Sequence, residues 1–323
     1  MARRLTSGAG ERTPVVERSD VMSARTKPLI AAVGEVLWDL LPAGEQLGGT
    51  TANFAWHARE AGADVALVSA VGDDPRGRRI LERMAGRGID TSAVAVLADK
   101  ATGTVDVALG PGGMPTYTIV EDVAWDHIPW STAAADLAAR ADAVCWGSLA
   151  QRAPGSRATI ARFLDALRPG TLRICDINLR VESPDPGMVD ATLRRADVLK
   201  CNDEELPRIA DLLGIPQGDA VERLRALMAA YGIHVAALTR GGEGSVLLRG
   251  DAVDVHPGYR VAVVDTVGAG DAFTAELATG CLRGDALAVI HERANRRAAA
   301  VCAASGGTPE LGPDPRVPGG RDT

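Results

Sequence analysis

The order of apolar patterns along these 323 residues predicts an α/β fold: a mostly parallel sheet with helices on both faces. Three observations carry that reading. Short β-branched runs alternate with helical periodicities over most of the length. The alternation breaks once, at a hairpin near residues 100–121 that has no crossover helix. Polar residues and glycines gather just past the ends of the apolar runs, where sheets of this kind bind their ligands.

Residues 1–27 mix Arg, Gly, Ser, Thr and Pro without periodicity and lack an apolar signal core. A disordered extension is expected there, with Met22 available as an alternative start. One domain is expected over 28–311, then a flexible tail over 312–323. Leu29 to Val33 reads as a buried strand and leads into Gly34-Glu-Val-Leu-Trp-Asp39. Gly48-Gly49 precedes a helix from about Thr51, with Phe54, Ala58 and Ala61 on one face and Asn53 in its first turn. Asp64 to Val71 is the next strand, and a helix follows to about Arg87. Thr104 to Leu109 then alternates apolar with polar or small residues; after Gly110-Pro-Gly-Gly-Met-Pro115, Tyr117 and Ile119 alternate again. This antiparallel hairpin is expected to be a lid, or a surface on which a second copy pairs. Strands resume at Ala143 to Trp146, Leu172 to Ile177, Asp197 to Lys200 and Val235 to Leu238. Between the first two, Ile160, Phe163, Leu164 and Leu167 mark a helix. A second hairpin, Ser245 to Leu248 with Ala252 to His256, precedes a β-branched run at Val261 to Val264. The last helix spans about Asp285 to Ala303.

Asp265-Thr-Val-Gly-Ala-Gly-Asp271-Ala-Phe-Thr274 is the stretch richest in chemistry. It reads as a strand-to-helix junction, because Phe273, Leu277 and Cys281 follow at helical spacing. Small residues at Gly268, Ala269 and Gly270 let backbone amides approach a ligand, and the helix adds the positive end of its dipole. Such a pocket suits an anion, above all a phosphoryl group. Asp271 places a carboxylate against that pocket. It is either a general base for an attacking hydroxyl or a helix-start residue that complements the dipole. Two familiar phosphate motifs are excluded. Lys27, Lys100 and Lys200 are the only lysines and none follows a glycine, so there is no Walker A loop. Phe273 stands where a dinucleotide fingerprint needs its third glycine.

The net charge of −7 argues against broad attraction to nucleic acid or membranes, and no apolar run has transmembrane length. Five cysteines (145, 175, 201, 281, 302), mostly inside apolar runs, suit reduced thiols and a cytoplasmic protein. The five histidines lack metal-ligand spacing.

Asp39, Arg180, Asn202, Thr239 and Asp271 all fall at or just past strand ends. Each also has a plainer reading. Asp39 and Asn53 can hold sugar-type hydroxyls or be exposed polar residues. Asn202-x-x-Glu205 has the form of a capping box. Thr239-Arg-Gly241-Gly-Glu-Gly244 can be a glycine turn, and Arg180 can pair with Asp176 or Glu182.

Taken together, these residues resemble the ribokinase (PfkB) family of sugar kinases over about Leu29 to Pro309. Asp265-Thr-Val-Gly-Ala-Gly-Asp271 matches that family's C-terminal signature in full. Gly48-Gly49-x-x-x-Asn53, Asn202-x-x-Glu205 and Thr239-x-Gly241-x-x-Gly244 follow the family's order. The resemblance implies a ribokinase-like αβα sandwich with a small β lid, and ATP and Mg²⁺ as cofactors. It implies Asp271 as base, with Gly268, Ala269 and Gly270 as anion hole. Asp39, Gly49, Asn53 and Arg180 would hold the sugar. Asn202 and Glu205 would organise the phosphates and, through water, Mg²⁺. Thr239, Gly241, Gly244 and Asn295 would line the nucleotide, and the region of Asp265 would take K⁺. Within the family, Gly34-Glu-Val-Leu-Trp-Asp39, Thr102-Gly-Thr-Val-Asp106, Val123-Ala-Trp-Asp126 and Asp176-x-Asn178-x-Arg180 look most like fructokinases, which implies fructose as substrate. Thr50-Thr51-Ala52 departs from the Ala-Pro that fructokinases commonly carry there. Kinases of ribose or of a keto-deoxy sugar acid, and a non-catalytic sugar or nucleotide sensor, are the alternatives.

Overall fold

The computed structural model describes residues 27–42, 44–109, 115–180 and 184–316. The expected extension over 1–26 and the end of the tail lie outside them. In chain order the strands are β1 (Leu29–Val33), β2 (Leu37–Leu41), β3 (Gly44–Gly48), β4 (Asp64–Gly72), β5 (Asp90–Leu97), β6 (Gly103–Leu109), β7 (Pro115–Ile119), β8 (Ala143–Trp146), β9 (Leu172–Asp176), β10 (Val198–Asn202), β11 (Val235–Thr239), β12 (Ser245–Arg249) and β13 (Ala252–His256). The helices are α1 (Thr50–Glu60), α2 (Pro75–Gly86), α3 (Thr132–Arg140), α4 (Pro154–Asp165), α5 (Pro186–Leu193), α6 (Glu205–Leu213), α7 (Ala220–Tyr231), α8 (Ala269–Arg283) and α9 (Leu287–Cys302).

Among the described residues, nine strands form one sheet in the order β13-β12-β11-β10-β9-β8-β1-β4-β5. The pairs from β11 to β5 are parallel, and β12 and β13 add an antiparallel edge. The parallel strands inside the sheet are buried on both faces, whereas the edge strand β5 is largely half-buried or exposed. In β1, Ile30 and Ala32 face Phe54 and Phe273 in one apolar cluster. Leu29, Ala31 and Val33 face Trp125 and Phe163 in the other. Helices α1, α2, α8 and α9 cover the first face, and α3 to α7 the second. This three-layer arrangement is the expected αβα sandwich. Burial of each large apolar side chain supplies about 1.5–3 kcal/mol, so both faces must be covered for the sheet to hold.

The lid is larger than the single expected hairpin. β6 and β7 pair antiparallel, but β6 also pairs parallel with β2, and β2 pairs antiparallel with β3. The result is a four-stranded sheet in the order β3-β2-β6-β7. Leu37 and Val105 form its small apolar core. Asp39 lies on β2, opposite Val105, so the lid sheet carries a candidate sugar ligand on its own backbone.

One expected strand is absent. Val261 to Val264 forms no ladder, and Val263 and Val264 are 63% and 64% exposed. The large sheet ends at β13, so these β-branched residues have no strand to join. The amide of Val264 donates to the Cys302 carbonyl instead (2.8 Å), which fixes the segment against the end of α9.

Gly312 and Pro313, at the start of the expected tail, are tied to the core. Arg297, fully buried on α9, donates to Glu276 (2.7 Å), Glu60 (3.3 Å) and the carbonyls of Gly312 and Pro313 (3.1 and 2.9 Å). Replacing Arg297 with Ala would leave Glu276 a buried charge without its close cation, while Glu60 would keep Arg87 and the amides of Leu311 and Gly312. We expect it to cost about 3–5 kcal/mol of unfolding free energy, read from the urea midpoint. A surface pair such as Arg194–Asp190, both partly exposed, is expected to contribute about 0.3–0.5 kcal/mol by the same measure.

Candidate active site

Candidate residues converge at the carboxyl ends of β1, β9 and β10 and at the start of α8. The first turn of α8 supplies the anion pocket. Gly268 precedes the helix with φ +80°, no side chain caps the turn, and its leading amides have no acceptor within the helix. A Cβ on Gly268 would stand 2.5 Å from the Gly307 carbonyl oxygen, so only glycine fits this crossing. Asp271, in the first turn, accepts a hydrogen bond from Asn53 Nδ2 (2.8 Å). Burial, reinforced by the charge of Asp176, pushes the Asp271 carboxyl up to about 6, against the pull of Lys200, Asn53 and Arg180. A carboxyl in that range accepts a proton near neutral pH yet remains mostly ionised, which suits a general base.

Lys200 belongs to this site, although nothing around it in sequence marks it. It lies on β10 opposite Asp176 of β9 and is buried. Its Nζ donates to Asp176 Oδ1 (3.2 Å), while Thr274 of α8 donates to the other oxygen (2.8 Å). A Cβ on Gly270 would stand 2.8 Å from the Lys200 ammonium, so that charge lies directly against the anion turn. Burial alone would lower the lysine pKa, but Asp176, Glu205 and Asp271 outweigh it and keep the ammonium charged. The chain lacks a P-loop lysine yet brings a lysine to its phosphate pocket from another strand.

On the sugar side, Asp39 is half-buried on the lid sheet. Burial and the charge of Asp265 push its carboxyl up to about 6, opposed by Arg180. A Cβ on Gly48 would stand 2.2 Å from Asp39 Oδ2, so the first glycine of the pair makes room for this carboxylate. Gly49, at φ +95°, begins α1 and brings Asn53 to Asp271. Arg180 is exposed at the rim, and its charge lowers both Asp39 and Asp271. Its plainer reading loses support, because Asp176 is held by Lys200 and Thr274; Glu182 lies outside the described residues. Asp265 is held by the amides of Val267 and Gly306 (both 3.0 Å), so the loop after α9 closes beneath the anion turn.

The nucleotide-side residues are more occupied than the resemblance implies. The Asn202 side chain accepts from the amides of Glu204 and Glu205, and Glu205 accepts from the Asn202 amide (2.8 Å). This is the reciprocal bonding of a capping box, but Asn202 itself closes β10 and the helix begins at Glu205. The other Glu205 oxygen accepts from the Leu179 amide (2.9 Å). With one amide on each oxygen, Glu205 suits an outer-sphere role through water. Among the described residues no group of three or more His, Cys, Asp or Glu could hold a metal directly. Thr239-Arg-Gly-Gly-Glu-Gly244 is the turn joining β11 to β12, and a Cβ on Gly244 would meet the His256 carbonyl at 2.0 Å. Asn295 is held within the fold: its Oδ1 accepts from Ser245 (2.9 Å) and its Nδ2 donates to the His291 carbonyl (2.8 Å).

Glu35 is the second group that sequence reasoning missed. It is buried just past β1, and burial followed by the charge of Asp271 pushes it up to about 7. Glu35, Asp39 and Asp271 hold protons more tightly folded than unfolded. The stability they contribute is therefore full below about pH 4 and is lost as pH rises through about 6 to 7.

An uncapped, glycine-led helix start beside a buried carboxylate, with a separate small sheet nearby, is an arrangement suited to a kinase of small hydroxylated molecules. The pfkB family carbohydrate kinase model matches residues 43–312, and the chain belongs to that family. It is 29% identical to an uncharacterised sugar kinase of Pyrococcus horikoshii over 272 residues, 79% of this chain and 83% of that one. It is 33% identical to a fructokinase of Klebsiella pneumoniae over 269 residues, 78% and 83% of the two chains. The crystal structure of the Pyrococcus protein superposes with TM-score 0.75 at 28% identity, covering 90% of this chain and 95% of that one. Among the described residues no helix is long and apolar enough to cross a membrane.

Lys200→Met should leave Asp176, Glu205 and Asp271 without their ammonium. It should destabilise the fold by about 3–5 kcal/mol at pH 7. In the protein that still folds, the acid limb of the pH–rate profile should move upward, because Asp271 loses a cation that favours its ionised form. Urea titration and a kcat/KM profile between pH 5 and 8 check both outcomes.

Proposed function

We propose that this carbohydrate kinase transfers the γ-phosphoryl group of ATP to a sugar hydroxyl, and that fructose, at its 6-hydroxyl, is the substrate. The observation that carries the transfer chemistry is the contact of Asp271 with Asn53, beside the anion turn and the Lys200 ammonium. Asp271 takes the proton of the attacking hydroxyl. The first-turn amides of α8 and Lys200 receive the charge of the moving phosphoryl group, so positioning and electrostatics supply the rate. The neighbouring Pyrococcus sugar kinase has been crystallised in complex with ATP, which supports the choice of nucleotide. Mg²⁺ would travel with the phosphates and neutralise them, with Glu205 reaching it through water. K⁺ beside Asp265 would complete the site. Fructose is favoured by the fructokinase relatives, and Asp39 and Asn53 would hold it. The same geometry would serve ribose or a keto-deoxy sugar acid.

Asp271→Asn keeps the shape and the Asn53 neighbour but removes the base. We expect a loss of about 10² to 10⁴ in kcat, with ATP affinity nearly unchanged. Wild-type kcat/KM should fall as pH drops below about 6, as Asp271 takes up its proton. ADP release measured over a panel of ketoses and aldoses checks the substrate, and near-normal kcat in the Asn variant would remove Asp271 from the role. If fructose is the substrate, its kcat/KM should exceed those of ribose and keto-deoxygluconate by about 10-fold or more, as loss of well-placed hydrogen bonds requires.

A further inference from the structure

We propose that Glu35 is a further substrate-contacting residue, whose carboxylate accepts a hydrogen bond from a second hydroxyl of the sugar, distinct from the one that Asp271 deprotonates. The inference rests on the sugar-kinase reading of this site. Glu35 follows β1 at its carboxyl end and is 1% exposed. One oxygen, Oε1, accepts from the amide of Thr50 (3.2 Å), at the start of α1. The other, Oε2, is buried and makes no hydrogen bond of good geometry, although the Glu35 amide and the Thr50 hydroxyl lie close enough to the carboxyl to favour its ionised form. A buried carboxylate oxygen left unpaired is costly, and native structures rarely keep one without a use.

Its surroundings are the sugar site. Gly49 presses on the Glu35 backbone, since a Cβ there would stand 2.8 Å from the Glu35 carbonyl oxygen. Thr50, which holds Oε1 through its amide, also receives the Asn178 side chain, and Asn178 adopts the left-handed φ of +42°. Asn53, three residues on in α1, contacts Asp271 through Nδ2 while its Oδ1 is likewise buried and unpartnered. Two acceptors without donors thus sit around the first turn of α1, next to the general base. What they lack is hydrogen-bond donors, and a sugar brings several. The acidic surroundings would repel an inorganic anion. Glu35 as a mere cap of α1 would account for Oε1 but not for Oε2.

The test compares a sugar with its monodeoxy analogues. The wild-type enzyme and Glu35→Gln are assayed by ADP release on the best sugar of the panel and on each analogue lacking one hydroxyl. Gln keeps the volume and an acceptor for the Thr50 amide, but places a donor where a second acceptor stood. We expect wild-type kcat/KM to drop about 10- to 100-fold for one analogue in particular, the usual worth of a hydrogen bond to a charged group. In Glu35→Gln that particular discrimination should vanish, with the loss seen mainly in KM for the intact sugar and KM for ATP unchanged. The melting temperature of the variant at pH 8 should equal or exceed that of wild type, because a neutral amide avoids burying a charge. Equal loss on the intact sugar and on every analogue, or unchanged discrimination, would overturn the role of Glu35 while leaving the kinase reading in place. A wild-type enzyme inert towards every sugar would overturn both.

Discussion

The buried ammonium of Lys200 sits among Asp176, Glu205 and Asp271, and the site is arranged around that imbalance of one cation against three carboxylates. Charges of one sign withdrawn from water repel strongly, so each carboxylate needs its own compensation. Asp176 has it from Lys200 and the Thr274 hydroxyl. Glu205 has it from the amides of Leu179 and Asn202. Asp271 receives the remainder, a single Asn53 bond, and is the member whose proton affinity rises towards neutrality. The fold thus compensates two carboxylates more fully than the third, which is the one proposed as the base. The same lysine that prevents Asp271 from staying protonated lies against the turn where phosphoryl charge would gather. One residue therefore serves the folded state and the phosphate pocket together.

The C-terminal part of the chain fixes the sugar side of this arrangement. Gly307 lies between α1 and the anion turn: its carbonyl contacts His57 Nε2 (3.0 Å), and a Cβ on it would stand 2.9 Å from the Asn53 amide group. Trp56 donates to the Pro309 carbonyl (3.1 Å), and Arg297 holds Gly312 and Pro313. Asn53 is thereby pressed from behind, and its direction towards Asp271 depends on residues some 250 positions away in sequence. The buried ion pairs of Arg297 with Glu60 and Glu276 are costly to desolvate, but they anchor the segment that keeps Asn53 in place.

Much of this was legible in the sequence where the signal was local. The glycine turn and Asp271 lie within a few residues, and their chemistry follows from helix-start physics. The continuous apolar runs of β1, β8, β10 and β11 announced strands buried on both faces. Lys200 was not legible, since its meaning comes from Asp176 and Gly270, brought close only by strand pairing and by α8. Glu35 was hidden in the same way, because an orphaned oxygen is a property of packing. β2 and β3 are short and carry glycines and charges, so period-2 alternation does not show them. Val261 to Val264 misled in the opposite sense: β-branched residues favour extended backbone, but a strand also needs a partner, and the sheet had already ended.

The division of the site between two sheets has a consequence for order of binding. Asp39 rides on the lid sheet, while Asp271, Lys200 and the anion turn belong to the large sheet and its helices. On the proposed reading, a sugar held by Asp39 and Asn53 would bridge the two sheets, so its binding would stiffen the small sheet against the core. Asp39 is already pushed towards protonation by burial and by Asp265. Deeper closure without a hydroxyl to bond would raise that cost further, because the carboxylate would lose water and gain nothing. Closure with a sugar in place exchanges water for directed hydrogen bonds. On that reading the electrostatics of Asp39 would oppose an empty closed state and favour a filled one, which would keep a bound nucleotide from meeting water as its acceptor.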